Sequence, residues 1–195
     1  MAEYVVLSAP STRVRCPGTA SLSTIAPTMK TKHAILSLAI AAFAALGAYV
    51  YWGEATQPAP QTSFLLLDGS STSTQALQGK VTLVNFWATS CTTCVAEMPD
   101  IASTYNKYKD QGFDTLAVAM QYDPPQYVLN FAQSRQLPFK VALDNTGAVA
   151  KAWGDIQLTP TTYLVDKRGH IVKTYIGAPN FEELHRLIEK LLAQA

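Results

Sequence analysis

Hydrophobic positions along this chain fall into three kinds of segment. The first is one uninterrupted apolar block, Ala34 to Trp52, 19 residues without a charge, close to the roughly 20 that a helix needs to cross a bilayer. It predicts a single transmembrane helix, with Tyr49, Tyr51 and Trp52 at the end where an interfacial aromatic belt would lie. The second kind is short and β-branched. Val81–Trp87 (V-T-L-V-N-F-W) and Phe113–Met120 show no polar alternation, the pattern of central strands covered on both faces. Ser63–Leu67, Phe139–Leu143, Thr161–Val165 and Ile171–Ile176 are further strands. Asp68-Gly69-Ser70 ends the first of these, and Asp166-Lys167-Arg168-Gly169 joins the last two as a hairpin turn. The third kind has helical period. Cys91–Tyr108 turns Met98, Ile101, Ala102 and Tyr105 to one side, and a helix opened by Pro124 and Pro125 runs to about Gln136 with Val128, Leu129 and Ala132 inward. Ser73–Gln78 reads as one helical turn and Ala148–Trp153 as a short helix, while Phe181–Ala193 carries Leu184, Leu187, Ile188 and Leu191 on one stripe. Pro99 removes one i to i−4 bond and predicts a kink in the first helix, which Gly112 ends. Strands separated by helices, then a hairpin and a last helix, make an α/β fold with a mixed central sheet flanked by helices.

Charge then sets a direction. The 195-residue chain has a formal net charge of +1, but Arg13, Arg15, Lys30 and Lys32 stand ahead of the apolar block and leave the remainder slightly acidic. Basic residues on the near side only predict an N-terminus in the cytoplasm and a C-terminal domain outside it, in the periplasm of a bacterial inner membrane. Bulky aromatics after Ala48 do not offer a signal peptidase its small-x-small site, so the block reads as an uncleaved anchor. Residues 1–33 form either a cytoplasmic tail or a mis-assigned start, because Met29-Lys30-Thr31-Lys32-His33 has the look of an initiator and basic leader. Residues 53–61, rich in proline and polar side chains, read as a linker, and 62–195 as the folded domain. No basic face suggests a nucleic-acid partner.

Chemistry concentrates where the first buried strand breaks. Ala88-Thr89-Ser90 turns the chain, and Cys91-Thr92-Thr93-Cys94 opens the helix. A C-x-x-C at that junction is the setting of a redox pair. A cysteine among unsatisfied backbone N–H groups at a helix N-terminus favours thiolate over thiol, which makes Cys91 the expected nucleophile. Cys94 lies one turn on, on the same face, placed to close a ring or resolve a mixed disulfide. Three cysteines are too few for a disulfide scaffold, and Cys16 stands alone.

Asn85-Phe86-Trp87-Ala88-Thr89, the C-x-x-C, Glu97-Met98-Pro99 and Leu158-Thr159-Pro160-Thr161-Thr162 together resemble the TlpA/ResA-like membrane-anchored thiol–disulfide oxidoreductases of the thioredoxin superfamily. The resemblance covers roughly Thr62 to Ala195. It implies a thioredoxin-like fold with an inserted helix and strand from about Tyr122 to Leu143. It implies a cis Thr159–Pro160 bond opposite the C-x-x-C, where by base rate only about 5–6% of X–Pro bonds are cis. The backbone of Thr159 would there pair with an extended substrate segment. It also implies that Glu97 lies near the cysteines and tunes them, where the spacing alone offers a first-turn carboxylate favoured by the helix dipole. Trp87 is expected as a packing residue under the active site that also belongs to the substrate-binding set, with Tyr122, Asp123 and Trp153 as rim residues only. Ser90, where most of the family has a second tryptophan, and the Thr92-Thr93 dipeptide are departures that bear on potential and partner, not on fold.

The expected activity is dithiol exchange without organic cofactor or metal, reducing disulfide-containing proteins and recharged by a membrane-bound electron donor, in a monomer. A redoxin-type thiol peroxidase, a copper metallochaperone and a redox-inert binding module are the alternatives. Against them stand the absence of proline from Phe86 to Thr93, a C-x-x-C where copper delivery wants C-x-x-x-C, and histidines only at positions 33, 170 and 185. A structural zinc site would need four ligands.

Overall fold

A computed structural model describes Ala42 and residues 57–194 of the chain. The predicted membrane helix and the tail before it lie outside the described residues, Ala42 apart. Among the described residues no helix is long and apolar enough to cross a membrane.

The elements in chain order are β1 (Gln57–Pro58), β2 (Ser63–Leu66), β3 (Ser71–Ser73), a 3-10 turn at Thr74–Leu77, β4 (Val81–Trp87) and α1 (Thr92–Tyr108). They continue with β5 (Phe113–Ala119), α2 (Pro125–Ser134), β6 (Lys140–Leu143), α3 (Ala148–Ala152), β7 (Thr161–Val165), β8 (His170–Ile176) and α4 (Phe181–Leu192). The strands form one mixed sheet in the order β1-β8-β7-β4-β5-β6-β2-β3. This is the thioredoxin-like architecture expected from the sequence, and α2 and β6 occupy the stretch read there as an insertion. Two short strands were not legible. Ser71–Ser73 is wholly polar, and Gln57–Pro58 falls in the stretch read as linker, yet the latter pairs with Ile171 and His170 at the sheet edge.

Every residue of β4 is buried. Its period of two explains why the sequence shows no polar face. Val81, Leu83 and Trp87 meet Met98, Ile101 and Tyr108 of α1 and Leu184, Ile188 and Leu191 of α4. Val84 and Phe86 point the other way, into Phe64, Leu116, Val118, Trp153 and Tyr163. Asn85 falls in the first row, on the α1 side of the sheet.

Helix α1 runs through Pro99 without interruption and buries Cys94, Glu97, Met98, Ile101, Thr104 and Tyr108. The expected stripe is thus rotated. Ala102 and Tyr105 lie at its half-buried margin, Tyr105 edge-on to Phe139 at 5.8 Å. Gly112, at φ 91°, closes the turn after the helix in a conformation that only glycine adopts freely. In α2 only Val128 is fully buried. Asn180 caps α4 by accepting the Glu183 N–H.

Candidate active site

Strand direction brings three loops to one edge of the sheet. β4 and β5 run parallel, so the loops that follow them leave on the same side. β7 runs antiparallel to β4, so the loop that precedes it arrives there. The first loop carries Cys91, the second Tyr122 and Asp123, the third Thr159 and Pro160.

Cys91 is the N-cap of α1, and its sulfur accepts the backbone N–H of Cys94 at 3.1 Å. Cys91 is partly exposed, Cys94 has no exposure, and the two form a disulfide. The Thr159–Pro160 bond is cis. The Thr159 carbonyl oxygen lies 3.5 Å from Cys91 Sγ, an acceptor placed for the S–H of the reduced form. The loop itself is held by the Gly177 N–H donating to the Pro160 carbonyl at 2.8 Å and by the Thr161 hydroxyl donating to the Leu158 carbonyl at 2.7 Å. Leu158, Ile176 and Tyr122, all largely exposed, are apolar neighbours of this loop in the chain or through its hydrogen bonds.

Glu97 is 3% exposed. The Asn85 side-chain amide donates to Glu97 Oε1 at 3.0 Å and to the Thr162 hydroxyl oxygen at 2.9 Å, while Glu97 Oε2 and Asn85 Oδ1 have no partner. Burial pushes the Glu97 carboxyl up to about 7. The Asn85 donor opposes that rise, and nearby Asp100 adds to it. Glu97 is therefore an acid–base group poised near neutral pH, one helical turn from Cys94.

Trp87, expected on the substrate side, is completely buried, its ring 5.1 Å from that of Phe131. No partner can touch it there. It supports the motif from below, which corrects the expectation of a substrate contact. Sequence reasoning passed over Asn85 and left Tyr122, Asp123 and Trp153 as rim residues. Trp153 is core, at 2% exposure, and its indole donates to Thr62 Oγ1 at 3.0 Å. Asp123 is also buried, and it accepts both the backbone N–H and the hydroxyl of Thr89. Asn85 had a signal, because period two from Leu83 and Trp87 puts it on the α1 face. Asp123 had none, because its partner is 34 residues away. Among the described residues no group of three or more His, Cys, Asp or Glu side chains gathers as a metal cluster.

A model of the family described as Redoxin matches residues 54–188. The thiol–disulfide oxidoreductase ResA of Bacillus thuringiensis subsp. konkukian is 33% identical over 138 residues, 71% of this chain and 79% of the relative. ResA of Halalkalibacterium halodurans is 33% identical over 129 residues, 66% of this chain and 72% of the relative. Among solved structures, a Neisseria meningitidis protein described as a thioredoxin has a TM-score of 0.67 and 43% identity, over 72% of this chain and 93% of that one. A thiol:disulfide interchange protein from Chlorobium tepidum has a TM-score of 0.64 and 25% identity, over 71% and 97% of the two chains.

The raised pKa of Glu97 makes stability depend on pH. The folded carboxyl holds its proton up to about 7 against an ordinary 4.5, so its stabilising share is full below 4.5 and is lost as pH rises through 7. In the oxidised protein, Glu97→Gln removes that slope. The unfolding free energy of the parent relative to the variant is expected to fall steadily across this window in denaturant titrations, and a constant difference would refute a buried, proton-holding Glu97.

Proposed function

The chain belongs to the Redoxin family and is a thiol–disulfide oxidoreductase, and from that premise we propose that it reduces the disulfides of selected proteins outside the cytoplasm, tethered by its N-terminal helix. The observation that carries the reading is the Cys91–Cys94 disulfide set between a helix N-terminus and the Thr159 carbonyl, with a buried acid one turn behind.

In the reduced protein the Cys91 thiolate attacks a substrate sulfur. A mixed disulfide forms on Cys91 and the substrate's other sulfur leaves as thiolate, to be protonated. Cys94 then gives up its proton, attacks Cys91 Sγ and expels the second substrate thiolate, which leaves the substrate reduced by two electrons and the pair oxidised. The N–H of Cys94 and the helix dipole stabilise charge on Cys91. Buried Cys94 needs a base beside it, and Glu97, with a pKa near neutrality and one oxygen unpartnered, is suited to take that proton. Thr159 offers the incoming segment a backbone edge beside the disulfide, and exposed Leu158 and Ile176 offer it apolar surface. A membrane-bound donor would return the two electrons.

Charge favours the reducing direction. From Phe86 to Ala102 there is no Lys or Arg, nor a histidine between the cysteines. Glu97, when ionised, opposes thiolate formation and so favours the disulfide. A pair that prefers to be oxidised gives its electrons away more readily. In a glutathione buffer the midpoint is expected much nearer the roughly −270 mV of thioredoxin than the roughly −120 mV of a strong oxidase; a value at the oxidising end would overturn the assignment as reductase.

The roles of the two sulfurs are separable. Cys94→Ser is expected to accumulate partner proteins as mixed disulfides on Cys91, visible as reducible adducts on gels, and Cys91→Ser is not. Adducts on Cys91→Ser alone would reverse the roles. Location follows from the uncharged block with basic residues on its near side. An alkaline phosphatase reporter fused after Ala195 is expected to be active, since that enzyme needs an oxidising compartment, and an inactive but stable fusion would sink the topology.

A further inference from the structure

We propose that Tyr122 and Asp123, adjacent residues in the loop after β5, are the positioning element of this active site, tying its two halves together through Thr89 and Thr159. The inference rests on the exchange reaction at Cys91 and concerns how the reacting groups are held.

Asp123 is 4% exposed and its carboxylate has both oxygens engaged by one residue. Oδ2 accepts the Thr89 N–H at 2.6 Å and Oδ1 accepts the Thr89 hydroxyl at 2.5 Å. Thr89 lies in the turn between β4 and Cys91, and the Cys91 N–H closes that turn on the Ala88 carbonyl at 3.2 Å. Asp123 is in turn fixed by its own N–H to the Met120 carbonyl at 2.9 Å, and Met120 donates to the Trp87 carbonyl at 3.0 Å. The two loops are thus stitched by three hydrogen bonds at two points, Trp87 with Met120 and Thr89 with Asp123, and the stitch nearer the sulfur is to a carboxylate. Charge-assisted bonds are the stronger kind. Among the described residues Thr89 has no other side-chain hydrogen-bond partner to hold it.

Tyr122 reaches the opposite side. Its hydroxyl and the Thr159 hydroxyl are 3.1 Å apart, and the Thr159 carbonyl is the atom 3.5 Å from Cys91 Sγ. One dipeptide therefore holds the turn that aims the nucleophile and the residue that faces it. Pro124 and Pro125 follow at once and restrict the backbone behind it. The hydrogen bonds of both side chains go to Thr89 and Thr159 and not to the sulfurs, so both act through others. Asp123 sets where Cys91 sits as N-cap, and Tyr122 sets the Thr159 side chain where substrate docks.

The test compares four variants of the full chain. Two rates are read: alkylation of Cys91 by iodoacetamide in the reduced protein at one fixed pH, and turnover of insulin disulfides with dithiothreitol as donor. Asp123→Ala is expected to slow both by about tenfold or more, the scale on which small misplacements of reacting groups act. Asp123→Asn is expected to stay within about twofold of the parent, because the amide oxygen accepts the Thr89 N–H and the amide NH2 donates to the Thr89 oxygen, which accepts as well as donates. Tyr122→Phe is expected to leave alkylation unchanged and raise KM for insulin. A folded Asp123→Ala with parent rates would overturn the proposal, as would an Asp123→Asn as slow as the alanine variant. If Asp123→Ala does not fold, Thr89→Val decides. It keeps the shape and the backbone bond but deletes the hydroxyl, and parent-rate alkylation in it would also overturn the proposal. A parent that alkylates at Cys91 yet turns over no disulfide would refute the reductase reading while leaving the comparison among variants intact.

Discussion

Strand β4 is covered on both faces along its whole length, and the active site depends on that. Its odd-numbered side chains face α1 and α4, and its even-numbered ones face the second core. A slip of one residue in its pairing would exchange the two sets. Asn85 would leave the α1 side and lose Glu97, and Trp87 would leave its seat beneath the helix that opens with the motif. The register is held from both flanks, with Asn85 opposite Ala117 of β5 and Thr162 of β7. Thr162 is also the second acceptor of the Asn85 amide. The strand pairing that builds the core therefore also orients the buried acid.

That acid is a buried carboxylate in a layer of apolar and neutral polar side chains. Leaving an ionised carboxylate in such surroundings costs several kcal/mol, and Glu97 has only a single hydrogen bond to offset it. Protonation relieves the cost, so the group titrates near neutrality instead of in the ordinary carboxylate range. Two fields of opposite sign then act on the cysteines. The helix N-terminus favours a thiolate at Cys91 by about 0.3–1 kcal/mol at an exposed site. An ionised Glu97 disfavours a second negative charge close by. Because Glu97 changes charge across the physiological range, the balance between these fields shifts with pH. A fixed charge would not have that effect.

Most of the fold was legible because its signals are local. The lack of alternation in Val81–Trp87, the paired prolines that open α2 and the 3.6-residue stripe of α4 each follow from residues close in sequence. The C-x-x-C was legible for the same reason. Where the reading failed, the cause was long range or polar. Ser71–Ser73 is a strand because β2 offers it a partner, not because its own side chains prefer one. The α1 stripe was drawn through Ala102 and Tyr105, whereas the buried face takes in Glu97 and Thr104, polar residues that a search for apolar spacing discards. Trp87 was read as packing under the active site and also counted with the substrate-binding residues; the first part holds, but a strand buried on both sides leaves substrate no approach to it.

Burial also separates what the departures from the family pattern can change from what they cannot. Ser90, Thr92 and Thr93 are all exposed at the mouth of the site. Cys94, Glu97, Asn85 and Thr162, a few residues away in space or sequence, are all buried. An exposed serine, where the resemblance implies a large aromatic ring, offers little surface, and two exposed threonines leave the first turn of α1 free of proline. Neither change reaches the layer in which the acid, the amide and the buried Cys94 sulfur are packed. Variation at these outer positions therefore changes the exposed surface around the Cys91 sulfur, while the layer of Cys94, Glu97 and Asn85 beneath stays fixed by the same contacts that hold the sheet together.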